Sequence, residues 1–430
     1  MKHHPLVHLI TGCLAAAAML LPGCKGPAPP PAAAPRTADV SGLFDDRDLQ
    51  SLGEKIFFDA NLSTPSGQAC AACHSPDVGW TGADEELNKA GSVYAGADHV
   101  RFGNRKPNSS AYATLTPSFH AVREGNSIVC VGGDFWDGRA TGWVLGNPAA
   151  DQAAGPFLNP VEQNNTDAKA VVEKICASAY AAEFKRVVRK VWGIEDVCAV
   201  KPEFAYGIVA IAIAAFEHSP AVNQFSSKYD AYLKGEASLT ATEKKGLEVF
   251  EGKGQCANCN TSRPGPKGEP PLFTDFTFDN IGIPRNPDNP WYIMPAELNP
   301  EGKEWIDTGL EGFLKDVPQY AMYARENRGK HRVPTLRNVD LRPHASFVKA
   351  FGHNGYFKSL EAIVHFYNTR DVLPSADQTA NPAPGVNCWP APEVVENINK
   401  EELGNLKLTA EEEGALVAFM KTLSDGYGRV

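Results

Sequence analysis

Two cysteines three positions apart, with a histidine directly after the second, stand at Cys70-Ala71-Ala72-Cys73-His74. Thiols at that spacing reach the two vinyl groups of one porphyrin while the adjacent imidazole turns up under the iron, so the element is an attachment site for a c-type haem. The alternative is a reactive dithiol or half of a zinc site, and zinc would require a second Cys or His pair of matching spacing. Cys256-Ala257-Asn258-Cys259-Asn260 repeats the two thiols without the imidazole. Asn260 puts a short amide where the ligand belongs, which leaves two thioether anchors and no axial nitrogen. A disulfide or bare dithiol is the other reading of this second pair.

The elements that must position these motifs look like one design used twice. Leu49, Leu52, Ile56 and Phe57 precede the first motif, and Leu247, Val249 and Phe250 precede the second. Both sets fit an amphipathic helix that ends at glycines and turns into the haem loop. Thr240-Ala241-Thr242-Glu243 and Thr409-Ala410-Glu411-Glu412 have the spacing of capping boxes, so helices are expected to open at both. A helix-rich stretch runs from Asp167 to Ala215, followed by a linker near Lys234 to Ser238. Pro264 to Pro300 and Leu373 to Glu393 are dense in Pro, Gly and Asn and read as ordered loops. The expected fold is mainly α, with two cytochrome c-like helical domains related by internal duplication, over residues 41–235 and 236–430.

With 430 residues the chain can build two or three substantial cores, and its net charge of -10 argues against a nucleic-acid partner. Leu9 to Leu21 is an apolar run of signal-peptide length, too short to span a membrane, which predicts export to the periplasm or the cell surface. The run ends Leu21-Pro22-Gly23-Cys24, so residues 1–24 read either as a simple cleaved signal or as a lipoprotein signal with a lipid anchor at Cys24. Residues 25–40 are a Pro/Ala-rich tether. Outside the two motifs, Cys130, Cys176, Cys198 and Cys388 admit three disulfide connectivities, with Cys176 and Cys198 a plausible pair.

Six ordered blocks carry a resemblance to a known family. They are Leu52 to Asp59, Phe135 to Ala140, Gln152 to Pro156, Asn159 to Glu162, Pro271 to Phe276 and Val333 to Asn338. From about Leu43 to Asp425 the chain resembles the bacterial diheme cytochrome c peroxidases and MauG. The resemblance implies that His74 is the proximal ligand of a peroxidatic iron, with Gln152 and Glu162 lining its distal face. Breaking a peroxide O–O bond needs a group that takes a proton from one oxygen and returns it to the other, and a carboxylate in a partly apolar pocket can do both. Trp136 falls where the family places an aromatic stepping stone between two haems, and Asp137-Gly138-Arg139 after it reads as structural or propionate-pairing. Tyr367 falls where peroxidases carry the methionine ligand of the second iron and MauG-like members carry tyrosine. A phenolate stabilises the ferric and higher states, whereas a thioether favours the ferrous.

Two departures stand out. With Asn260 in place of the second proximal histidine, a five-coordinate iron bound by Tyr367, a rescue by His353 or His365, and an empty site are all open. Arg105-Lys106-Pro107-Asn108 replaces the usual Arg-Asn pair at the family's inter-domain Ca2+ site, where Asn104 or Asn108 would have to supply the oxygen. His99, near the family's distal histidine, reads as a surface residue. The implied function is reduction of hydrogen peroxide at the N-terminal haem, with electrons from a small periplasmic cytochrome c or cupredoxin. The alternatives are MauG-like, peroxide-driven oxidation of Trp or Tyr on a protein substrate, and a non-enzymatic electron carrier; a carrier has no use for a carboxylate-lined distal pocket. Nothing in the sequence fixes the oligomeric state, though a dimer suits such a protein.

Overall fold

The computed structural model describes residues 38–125, 127–265 and 268–428. The signal peptide, Cys24 and residues 25–37 of the tether lie outside the described residues. Eleven α-helices occur among them: α1 (Arg47–Phe57), α2 (Glu85–Lys89), α3 (Pro148–Leu158), α4 (Ala168–Cys176), α5 (Ala181–Trp192), α6 (Pro202–His218), α7 (Lys228–Leu233), α8 (Ala241–Glu251), α9 (Leu310–Leu314), α10 (Leu360–Thr369) and α11 (Ala410–Lys421). None is long and apolar enough to cross a membrane. Both expected capping boxes are present. Thr240 and Glu243 bond each other's backbone N–H at 3.2 and 2.7 Å, and Thr409 and Glu412 do so at 3.2 and 2.8 Å.

One helix crossing is repeated in each half. From Ile208 to Phe216 α6 is apolar on every face and buried, and α1 meets it at Gly53. A Cβ there would fall 1.8 Å from the Ala212 carbonyl oxygen and 2.9 Å from Phe216 Cβ. α8 meets α11 at Gly246, where a Cβ would fall 1.9 Å from the Ala415 oxygen and 2.7 Å from Phe419 Cβ. In both crossings a glycine faces an alanine carbonyl and the phenylalanine four residues later. The duplication legible in the helix patterns is therefore also a duplication of packing.

The first crossing anchors a core drawn from Phe44 to Val222, and the second a core drawn from Tyr229 to Leu423. A third, smaller cluster takes Phe119 and Cys130 from the first stretch and Phe278, Leu310 and Tyr320 from the second. It rests on the antiparallel hairpin β1 (His120–Glu124) and β2 (Ser127–Val131), and a short pair β3 (Phe278–Asp279) and β4 (His331–Arg332) lies beside it. The hairpin was not expected from the sequence. Cys176 and Cys198 form a disulfide across a separation of 22 residues, a constraint that contributes about 3 kcal/mol through the unfolded state. Cys130 and Cys388 are buried free thiols.

Buried polar contacts lock the two stretches together. Arg332 donates to Asp134 at 2.5 Å and to Thr116 at 2.7 Å, and the Tyr112 hydroxyl donates to Asp425 at 2.7 Å. Arg105 forks onto both carboxylate oxygens of Asp307 at 2.6 and 2.7 Å and reaches Asp137 at 2.7 Å. Buried, bidentate pairs of this kind fix relative orientation because neither partner can be left alone out of water.

Candidate haem sites

Each thiol motif closes a single tight turn. The amides of Cys73 and His74 both reach the Cys70 carbonyl at 3.1 Å, and the amide of Asn260 reaches the Cys256 carbonyl at 2.9 Å. The first turn opens onto a cavity of about 350 Å³ lined by Cys70, Cys73, His74, Gln152, Glu162 and Trp136. The His74 Nδ1 lies 3.2 Å from the Trp80 carbonyl oxygen. Donating its N–H there leaves Nε2 with a bare lone pair, the tautomer a metal-ligating histidine needs. Burial pulls this imidazole below its ordinary range, so it is neutral. Burial also pushes the thiols up, that of Cys73 to about 12, which makes them poor free nucleophiles. Neither motif forms a disulfide. Two inert thiols and a neutral imidazole at the edge of one cavity fit a covalently held haem and not a reactive dithiol.

The distal residues come from α3 and the turn after it. Asn147 caps α3 by accepting from the Ala149 N–H at 2.9 Å, and Pro148 occupies its first turn. Pro156 has no N–H to offer the Gln152 carbonyl, and the helix ends two residues later. The following turn is held by Glu162 N–H to the Asn159 carbonyl at 3.0 Å and Ala97 N–H to the Glu162 carbonyl at 2.7 Å. The Asn159 amide donates to Glu162 Oε2 at 2.9 Å. Burial raises the Glu162 carboxyl above its ordinary value, against Arg139 and Asn159, which lower it. That shift moves a carboxyl toward the range in which it can both accept and return a proton. Arg139 pairs with Asp137 at 2.7 Å and stacks over Phe135 at 3.8 Å.

Trp136 is buried, its indole N–H donating to the Lys106 carbonyl at 2.8 Å. It lines the first cavity and also a second, of about 250 Å³, that holds Cys256, Cys259 and Tyr367. Asn260 has no imidazole to offer, and its NH2 group donates to the Phe273 and Pro334 carbonyls at 2.7 and 3.2 Å. Burial pushes the Tyr367 phenol above its ordinary value, so only a cation against its oxygen would release the proton. Phe250, Leu336, Val364, Leu416 and Met420 supply apolar walls. The residues fit a macrocycle held by two thiols with an oxygen ligand from Tyr367 and no imidazole from the motif. His353 lines this cavity, whereas His365 is turned to Glu413 at 3.0 Å and does not. His99 is exposed and lines neither cavity.

The loop at Arg105 to Asn108 does not fit calcium. Its Lys106 ammonium donates to Thr81 Oγ1 and the Pro107 carbonyl at 3.0 and 3.1 Å, and a second buried lysine, Lys349, donates to the carbonyls of Val78, Asn338 and Leu341 at 2.8, 2.7 and 3.0 Å. Burial pushes Lys349 down, yet three acceptors take three N–H bonds, which only the ammonium has. Against the six to eight oxygens a calcium ion takes, that loop offers one unpartnered buried side-chain oxygen, Oδ1 of Asn108.

Sequence reasoning overlooked Glu217, which ends the apolar run of α6 and lines the first cavity. A carboxyl directly following the apolar run Ile208 to Phe216 was the available signal. Burial pushes its carboxyl to about 8, against a hydrogen bond from Ser110 that lowers it. Between the ordinary glutamate value and pH 8 the folded state keeps a proton that the unfolded chain has released, so stability falls as pH rises through that window. Glu217→Gln is expected to remove this slope, gaining stability over the parent at pH 8.5 but not at pH 4. Thermal melts at the two values check it, and parallel shifts at both would refute it.

A site built this way defines a c-type haem oxidoreductase. Residues 47–238 match the family model of the di-haem cytochrome c peroxidases. The chain is 33% identical over 418 residues to the methylamine utilization protein MauG of Paracoccus denitrificans, covering 96% of this chain and 95% of that protein. It is 25% identical over 411 residues to a cytochrome-c peroxidase of Denitromonas iodatirespirans, covering 91% and 87%. Its fold is similar to that of the diheme peroxidase BthA from Burkholderia thailandensis, with a TM-score of 0.69 at 28% identity over 88% of this chain and 86% of that one. The chain belongs to the di-haem cytochrome c peroxidase and MauG family: it is a peroxidase-like oxidoreductase, and its cofactor is c-type haem.

Proposed function

We propose that the His74 site reduces hydrogen peroxide, and that the observation carrying this is Glu162, a carboxyl raised by burial in the cavity that also holds His74, its Nδ1 turned to the Trp80 carbonyl. The haem, when bound, supplies an iron at which the O–O bond is broken. His74 holds that iron through Nε2. Glu162 accepts a proton from the peroxide and returns it to the departing oxygen, while the Gln152 amide orients the bound molecule. One peroxide, two protons and two electrons give two waters. Trp136, a wall common to both cavities, would pass the electrons, and Tyr367, Cys256 and Cys259 would hold a second haem that supplies a redox centre between Trp136 and a small cytochrome c or cupredoxin. The disulfide Cys176–Cys198 supports an exported, oxidising location.

A second reading is favoured by Tyr367 and by the likeness to MauG: oxidising equivalents pass outward through Trp136 to Trp or Tyr side chains of a protein partner. The test is a covalent haem count by intact mass and pyridine haemochrome, followed by peroxide turnover with reduced cytochrome c or cupredoxin. Two haems, and two donor molecules oxidised per peroxide, are expected. Peroxide consumption with neither donor oxidised would overturn reduction in favour of the second reading, and a single haem would remove Tyr367 as a ligand.

A further inference from the structure

Three side chains lining the second cavity, His331, His353 and Glu393, carry buried polar atoms that no hydrogen bond in the fold uses, and the Asp307 carboxylate lies beside them. His331 and His353 stack with ring centroids 3.6 Å apart and planes within 7°. The Nε2 atoms of both, and Oε2 of Glu393, are buried without a hydrogen-bond partner. Donor atoms of His331, His353 and Asp307 lie within 4.8 Å of one another, and His353 Nε2 is 3.9 Å from Glu393 Oε2.

His331 shows what is missing. Its Nδ1 faces the Gly329 carbonyl at 3.1 Å and its Nε2 faces Asp307 Oδ1 at 3.3 Å. A neutral imidazole has one N–H for two acceptors, and burial, with His353 close by, pulls this histidine to about 4. The Nδ1 hydrogen bond is the outer contact that orients a ligating imidazole. Arg105 fixes the Asp307 carboxylate in place through two hydrogen bonds, at 2.6 and 2.7 Å. An anionic occupant such as a porphyrin propionate would meet two carboxyl groups here, whereas a cation would be neutralised by them.

We propose that Asp307, His331, His353 and Glu393 bind a divalent first-row transition cation in the wall of the second cavity, near Trp136. Two imidazoles with carboxylates suit zinc(II) and its neighbours and not calcium or magnesium, which take oxygen. The ring centroids of His353 and Trp136 are 6.4 Å apart. A cation at this place makes removal of an electron from the indole harder, a consequence that rests on the electron-transfer reading of Trp136; the binding site itself does not.

The probe is zinc(II). Holoprotein is stripped with a chelator, desalted and titrated with zinc chloride, and retained zinc is counted against haem iron by plasma mass spectrometry. One equivalent is expected in the parent. His331→Gln and His353→Gln should each weaken retention by on the order of a hundredfold, at or above the loss seen when outer contacts alone are removed. His344→Gln, on the exposed surface, should leave it unchanged. Haem content and thermal midpoint report whether each variant is folded. No zinc in fully loaded holoprotein, as a propionate filling the cluster would give, or equal retention in folded variants, overturns the site.

Discussion

Replacing Glu162 with glutamine is expected to lower peroxide turnover by on the order of a hundredfold or more while leaving haem attached at Cys70 and Cys73, the usual range for loss of a positioned acid–base group. The amide keeps the side chain's shape, and its oxygen can still accept from Asn159, whose N–H now meets Oε2 at 2.9 Å. What it cannot do is take a proton from one peroxide oxygen and return it to the other. The haem anchors sit on a different segment, in the turn closed on the Cys70 carbonyl, so the absorption spectrum and the haem count should hold. Turnover unchanged at equal haem content would remove Glu162 from the mechanism.

The largest effect on stability is expected at the two helix crossings. Gly53→Ala places a methyl 1.8 Å from a backbone oxygen, far inside contact distance, and no rotamer can relieve a clash between main chains. Overpacking a core costs about 1–3 kcal/mol when side chains can shift. Here α1 and α6 must part, which loosens Leu49, Leu52 and Ile56 together. Since a domain has only about 5–15 kcal/mol in hand, Gly53→Ala should abolish soluble holoprotein or lower its melting temperature by well over 10 °C. Gly246→Ala should do the same to the second core. Gly42→Ala, with nothing within 4 Å of the added carbon, is the control. A normal melting temperature for Gly53→Ala would mean the helices do not cross as described.

The helical frame was legible because its signals are local. The capping boxes at Thr240 and Thr409, the apolar spacing of α1 and the apolar run Ile208 to Phe216 of α6 each specify an element from neighbouring residues, and the helical class followed from them. The hairpin at His120–Val131 was missed although its two strands flank a Gly-Asn pair, a turn signal that went unweighed against the helical expectation. The thiol motifs announced themselves by spacing. Glu162, Gln152 and Trp136 did not, and came only with the family resemblance, because cavity-lining residues from separate segments share no local pattern. His331, Asp307 and Glu393 are farther still from legibility. They lie 22, 46 and 40 residues from His353 and meet only because Arg105 and the loops between them bring them together.

Lys106 and Lys349 carry a last consequence. The Lys349 ammonium joins Val78 to Asn338 and Leu341 while that of Lys106 ties Thr81 to Pro107, and these charges are covalent parts of the chain. They cannot be chelated, exchanged or diluted away. The tie that Lys349 makes between the two halves therefore owes nothing to the mineral content of the surroundings, and a chelator should not loosen it.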